Sequence, residues 1–129
     1  MRRLGKAVLP AAGRRRGAVG TGRFASLSNH EGEPLGRRDD AETVGLMCVY
    51  LRAGALPWSD GAVVDAPTKR ERFARMLECK QRTSAAALGH AFGEGGAAIE
   101  EYVNVVRALG HTERPPYGHL MRLLRAAAA

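Results

Sequence analysis

The run from Asp40 to Arg52 constrains this chain more than any other, because it is apolar on every side. Val44, Met47, Cys48 and Leu51 repeat at helical spacing, and Leu46, Val49 and Tyr50 fill positions between them. A helix with apolar residues around its whole circumference is stable only when it is surrounded. The longest apolar stretch, Val44 to Leu51, is far too short for a membrane span. The segment therefore reads as the central helix of the domain, buried on all sides. Acids mark its start: Asp39 or Asp40 opens it, and Asp39 with Glu42 has the spacing of a capping box. It stops before Gly54.

The rest of the chain is also helical in pattern. Phe24 to Asn29 forms a short helical turn, and residues 53–67 form a loop containing Pro57, Gly61 and Pro67. Thr68-Lys69-Arg70-Glu71 is a second capping box. It opens a helix with Phe73, Met76 and Leu77 inside and Lys69, Arg70, Arg72 and Arg75 largely outside. Ser84 to His90 is a short helix capped by Thr83 or Ser84. From Glu94 to Leu109, the residues Ile99, Tyr102, Val103 and Val106 recur at i, i+3, i+4, i+7. Glu94, Glu100 and Glu101 lie toward the start of that helix and Arg107 near its end, as the dipole favours, and Gly110 stops it. After Pro115-Pro116, Tyr117, Leu120, Met121 and Leu124 mark a last helix. No segment alternates as a strand does. The expected class is all-α, about five helices around one buried central helix, over residues 23–126. Residues 1–22, rich in Gly, Ala and Arg without periodicity, read as a disordered basic arm.

At 129 residues the chain is one domain's worth, and 45% hydrophobic residues suffice for a core. The net charge of +7 is concentrated: residues 1–23 carry seven basic groups and no acid, while the remainder carries thirteen of each sign. A solvated arm, a contact with phosphate in nucleic acid or a phosphoprotein, and an organellar transit peptide all fit such a segment. Its lack of serine weighs against the last. Cys48 and Cys79 form no Cys-x-x-Cys pair and read as reduced thiols, pointing to cytoplasm or nucleus.

Most chemistry-bearing patterns fail on context. Gly20-Thr21-Gly22-Arg23-Phe24-Ala25 fits the dinucleotide fingerprint G-x-G-x-x-A, but no strand precedes it. His30, His90, His111 and His119 lack zinc spacing with one another or with the cysteines. Ser26, Ser28 and Ser84 have no adjacent base to make a nucleophile.

One set of motifs falls in order along the chain. Gly20, Thr21, Arg23, Ala25 and Ser26 are followed by Arg37-Arg38-Asp39-Asp40 and Gly45, then by Gly54, Leu56, Pro57 and Trp58. Thr68-Lys69-Arg70 with Arg72-Phe73 comes next, and Arg107, Leu109, Pro116, Leu120 and Leu124 close the series. This string resembles the casein kinase I family of serine/threonine protein kinases, from the end of the activation segment through the large lobe. Gly22 and Phe24 depart from the family's Gly-Thr-Ala-Arg-Tyr-Ala-Ser, and the loop between Trp58 and Thr68 is about three residues longer than usual. The resemblance runs from Gly20 to Arg125.

The resemblance implies a partial kinase large lobe and, for the complete family, ATP- and magnesium-dependent phosphorylation of protein serine or threonine. It implies that Arg23 and Arg72 hold an anion, such as the phosphate of a primed protein substrate, since two guanidinium groups make charge-assisted, often bidentate bonds to phosphate. Trp58 and Arg107 become structural positions of the lobe. Thr21 would bond a catalytic aspartate, and Asp40 would be the buried aspartate that braces the catalytic loop, a role compatible with capping. Phosphoryl transfer also needs a Gly-rich loop, a strand lysine with its glutamate, a catalytic Asp with Asn, and a metal-binding Asp-Phe-Gly. None of these motifs occurs in the chain, so no catalytic, cofactor or metal residue is assigned, and the chain alone is expected not to transfer phosphate. The competing expectation is a non-enzymatic helical module whose basic arm binds nucleic acid or an acidic protein.

Overall fold

In a computed structural model, residues 22–59 and 65–129 are described. They form six α-helices and one short 3-10 turn, with no strand among the described residues. The helices are α1 (Leu27–His30), α2 (Arg37–Ala53), α3 (Lys69–Arg82), α4 (Ala85–Phe92), α5 (Gly96–Arg107) and α6 (Tyr117–Ala128), with the 3-10 turn at Pro57–Ser59. The all-α expectation is met. The expected arm, apart from Gly22, lies outside the described residues, as does Thr21.

Caps explain most boundaries. Ser26, Thr68 and Ser84 each accept a backbone amide three residues on, at the starts of α1, α3 and α4. Gly54 ends α2 in the left-handed region at φ 84°, which glycine adopts without penalty. Two boundaries differ from the sequence reading. Helix α2 begins at Arg37, and Asp39 reaches back from its first turn to the Gly36 amide at 2.7 Å. The expected Asp39–Glu42 box does not form, because Glu42 is buried and taken by distant partners. Helix α5 begins at Gly96, which leaves Glu94 outside the helix whose dipole it was expected to serve.

Helices α2, α4, α5 and α6 enclose the core. Leu46, Val49, Leu88, Ile99, Tyr102, Val103, Val106 and Leu120 are buried in it. Missing side chains let the helices approach. A Cβ on Gly45 would sit 2.8 Å from the Tyr102 ring, so glycine is the residue that lets α2 and α5 cross there. The Tyr102 hydroxyl then donates to the Ala41 carbonyl at 2.7 Å, and burial, helped by nearby Cys48, pushes it up to about 12. Gly89 and Gly96 bring α4 and α5 into backbone contact, and a Cβ on Gly96 would overlap the Gly89 carbonyl.

The central helix is not buried all round. Val44 and Met47 are each 43% exposed and Leu51 is 78% exposed, while Leu46 and Val49 are fully buried. With Asp40, the exposed residues follow one stripe at helical spacing, opposite the side that meets α4 and α5. Composition around a helix fixes which faces could be buried. Whether they are buried depends on the neighbours present, and among the described residues this stripe of α2 is left largely open.

Candidate anion-binding site

The candidate site is built on residues 22–25, which precede α1 and belong to no helix. Their peptide groups need partners from elsewhere, because a buried carbonyl without one costs free energy. Each of the four carbonyls is taken by a side chain distant in sequence. Lys80 Nζ donates to the carbonyls of Gly22 and Ala25, the latter at 2.8 Å. Trp58 Nε1 donates to the Arg23 carbonyl at 2.7 Å. Thr43 Oγ1 donates to the Phe24 carbonyl at 2.8 Å. Three elements, α2, the 3-10 turn and α3, thus grip one short piece of chain.

Arg23 emerges from this grip with its side chain exposed. Its guanidinium lies 5.2 Å from the centre of the Tyr50 ring and donates to the Tyr50 hydroxyl at 3.3 Å. Arg72 sits half-buried on α3 and donates to the Ala66 carbonyl at 3.1 Å. Arg72, Met76 and Lys80 are spaced i, i+4, i+8, so they share the α3 face that meets Gly22: the Met76 sulfur lies 3.1 Å from where a Gly22 Cβ would be. The fold therefore brings the Arg23 segment against the helix that carries Arg72. In this arrangement the two guanidinium groups rest on different protein acceptors.

The other positions singled out by sequence divide. Trp58 is fully buried, and Lys80 Nζ lies 5.2 Å from the centre of its ring. Arg107 is mostly buried, donating from Nε to Glu42 at 3.3 Å and from Nη1 to the Thr83 carbonyl at 3.2 Å. Glu42 also accepts the Leu27 amide at 3.0 Å, which ties α1, α2 and α5 together. Asp40 is a correction: it is exposed, and the buried aspartate is its neighbour. Asp39 accepts from the Ser26 hydroxyl at 2.6 Å, the Ser28 hydroxyl at 3.0 Å and the Gly36 amide at 2.7 Å. The reason is register. Asp39 faces the α1 turn, one position round the helix from the open stripe on which Asp40 lies.

Helix α3 holds the residue that sequence reasoning passed over. Phe73, expected inside, is 37% exposed and packs against His30 with ring centres 4.2 Å apart and the rings tilted by 50°. The one fully buried side chain of α3 is Lys80, 1% exposed. Burial lowers its ammonium to about 8; Glu42 opposes the shift and Arg107 adds to it. The signal was present, since Phe73, Met76, Leu77 and Lys80 fall at i, i+3, i+4, i+7, placing the lysine at the next step of the inner stripe. His30, which lacks zinc spacing to the other histidines, is also a buried residue. It is 1% exposed, it bonds the Phe73 carbonyl through Nε2 at 3.2 Å, and burial followed by the Lys80 charge lowers it to about 4.

Among the described residues no group of His, Cys, Asp and Glu could hold a metal ion, and no helix is long and apolar enough to cross a membrane. Cys48 and Cys79 are free thiols.

The class that emerges is an all-helical segment like part of a protein-kinase large lobe. Within that class the chain is similar to the casein kinase I family. It is 38% identical over 109 residues, 84% of its length, to a probable casein kinase I homolog of Encephalitozoon cuniculi. The match covers 34% of that protein, so the chain spans about a third of the length of this curated relative. No protein-family profile matches the chain.

Proposed function

We propose that this chain serves as the substrate-docking part of a casein-kinase-I-like serine/threonine protein kinase, with Arg23 and Arg72 receiving an anionic group of a protein substrate. The observation that carries this reading is the seating of the Arg23 segment against the α3 face that bears Arg72. Each guanidinium retains N–H donors beyond the one it uses on Tyr50 or Ala66. Tyr50 and Ala66 act as weak stand-ins that a dianion displaces, since a guanidinium–phosphate bond is charge-assisted on both sides. Asp40 lies exposed on the open stripe of α2, where the resemblance places a catalytic loop. ATP and magnesium chemistry belongs to the complete family. The 129 residues contain none of the motifs that position them, so the chain by itself leaves ATP unconsumed.

Titration of the full chain with a phosphoserine peptide and its unphosphorylated twin tests the reading. Preference for the phosphorylated peptide is expected, with a loss of roughly tenfold or more in affinity for Arg23→Ala or Arg72→Ala. Equal binding of both peptides sinks it. An ADP-release assay on the same chain is expected to stay at background, and measurable turnover would overturn the division between docking and transfer.

A further inference from the structure

The Arg23 segment is held in an unusual way, and the means of holding points to one residue. We infer that Lys80 is a positioning residue for anion docking: by binding the carbonyls of Gly22 and Ala25 from inside α3, it fixes the backbone from which Arg23 projects. The inference rests on the reading of Arg23 as an anion ligand and adds to it the group that makes the site rigid.

Three observations converge. Lys80 is the most completely buried charged side chain of the described chain, at 1% exposed, yet it forms no salt bridge among the described residues. Its ammonium is spent on two carbonyls that flank Arg23 and on the face of Trp58, whose indole N–H takes the Arg23 carbonyl itself. Its helix is also the one that carries Arg72. A buried lysine costs desolvation, and an apolar residue at this place in the inner stripe of α3 would avoid that cost. What an apolar residue could not supply is two donors aimed at a non-helical backbone. A single cation that grips one half of the site from the helix bearing the other half sets the spacing between the halves. Holding an arginine in place beforehand removes an ordering cost that binding would otherwise carry.

The charged groups facing Lys80 are Glu42 of α2, Arg107 of α5 and His30 of α1. His30, lowered to about 4, stays neutral as pH rises from 7 to 9, whereas burial brings Lys80, lowered to about 8, into that range.

The experiment uses the full chain and inorganic sulfate, whose charge is constant over this range. Lys80→Met, checked for helical content by circular dichroism, is expected to bind sulfate roughly tenfold more weakly than the parent. Nitrogen-15 relaxation should show the Gly22, Arg23 and Phe24 amides loosened, with the core helices unchanged. Rigid amides in a folded Lys80→Met protein overturn the inference whatever sulfate does. If that variant does not fold, the pH profile decides. Parental affinity for sulfate should fall as pH rises through about 8, and Lys80→Arg, which stays charged, should flatten the step. An identical step in both proteins refutes the role of Lys80. A parent that ignores sulfate at every pH refutes the docking reading instead, and the relaxation data still judge the clamp.

Discussion

The two sides of this molecule are held together by different physics. Where α2, α4, α5 and α6 meet, the contacts are Leu46, Val49, Leu88, Ile99, Val103 and Val106, with glycines where backbones touch. Where residues 22–42 meet α3, the buried residues include Ser26, Asn29, His30, Asp39, Glu42 and Lys80, which are all the buried polar or charged side chains of the described chain. The difference follows from the backbone. Long helices satisfy their own peptide groups and need only apolar burial, whereas a short non-helical segment must borrow donors from side chains. The apolar side is therefore robust to conditions. The polar side is sensitive to charge, and it is also the side that carries the candidate site.

Four measurements would break or sharpen that contrast. On the apolar side, Ile99→Ala should cost about 4 kcal/mol of unfolding free energy, because Ile99 is fully buried and its loss leaves a cavity. Urea denaturation should find that cost independent of pH, and a strong pH dependence would contradict the division. On the polar side, Arg107→Ala should cost about 3 kcal/mol by leaving Glu42 buried without its ion-pair partner. Adding Glu42→Gln should recover part of that loss, a rescue that no neutralising change could provide for Ile99→Ala.

The third measurement concerns acid. His30 is held at about 4 in the fold against an ordinary 6.5, so the unfolded chain binds more protons between those values. Its contribution to stability is complete above pH 6.5 and is lost as pH falls through 4, amounting to about 3 kcal/mol at most. His30→Gln should flatten that part of the stability curve, and an unchanged slope would show that the charge sensitivity lies elsewhere. The smallest effect is expected on the open stripe of α2. Leu51→Ser should alter stability by no more than about 0.5 kcal/mol, because Leu51 is already 78% exposed. A loss of several kcal/mol in the same denaturation experiment would mean that something covers this face in solution.

How much could be read in advance differs between the same two regions. The apolar periodicity of Ile99, Tyr102, Val103 and Val106 identified α5 and its inner face, and Thr68 and Ser84 identified two helix starts. These are local signals, set by residues within one or two turns of each other. The polar region was misread at several points for one reason: its partners are remote. Asp39 and Glu42 look like a capping pair at a spacing of three, yet Glu42 bonds Arg107, 65 positions away. Lys80 falls on the inner stripe of α3, yet the acceptors that explain a buried lysine there lie 55 and 58 positions away. Arg23, Arg72 and Trp58 were legible as positions in a known series of motifs, and what holds them was not.

By itself, the sequence determined that this chain is helical, roughly where each helix starts, and which family it resembles, because caps, periodicity and motif order are written in neighbouring residues. Tertiary structure alone decided which side of α2 stays open, which of two adjacent aspartates is buried, and that a lysine should sit under the Arg23 turn. Burial and charge pairing depend on the neighbours that folding brings together, and those come from parts of the chain that no local window contains.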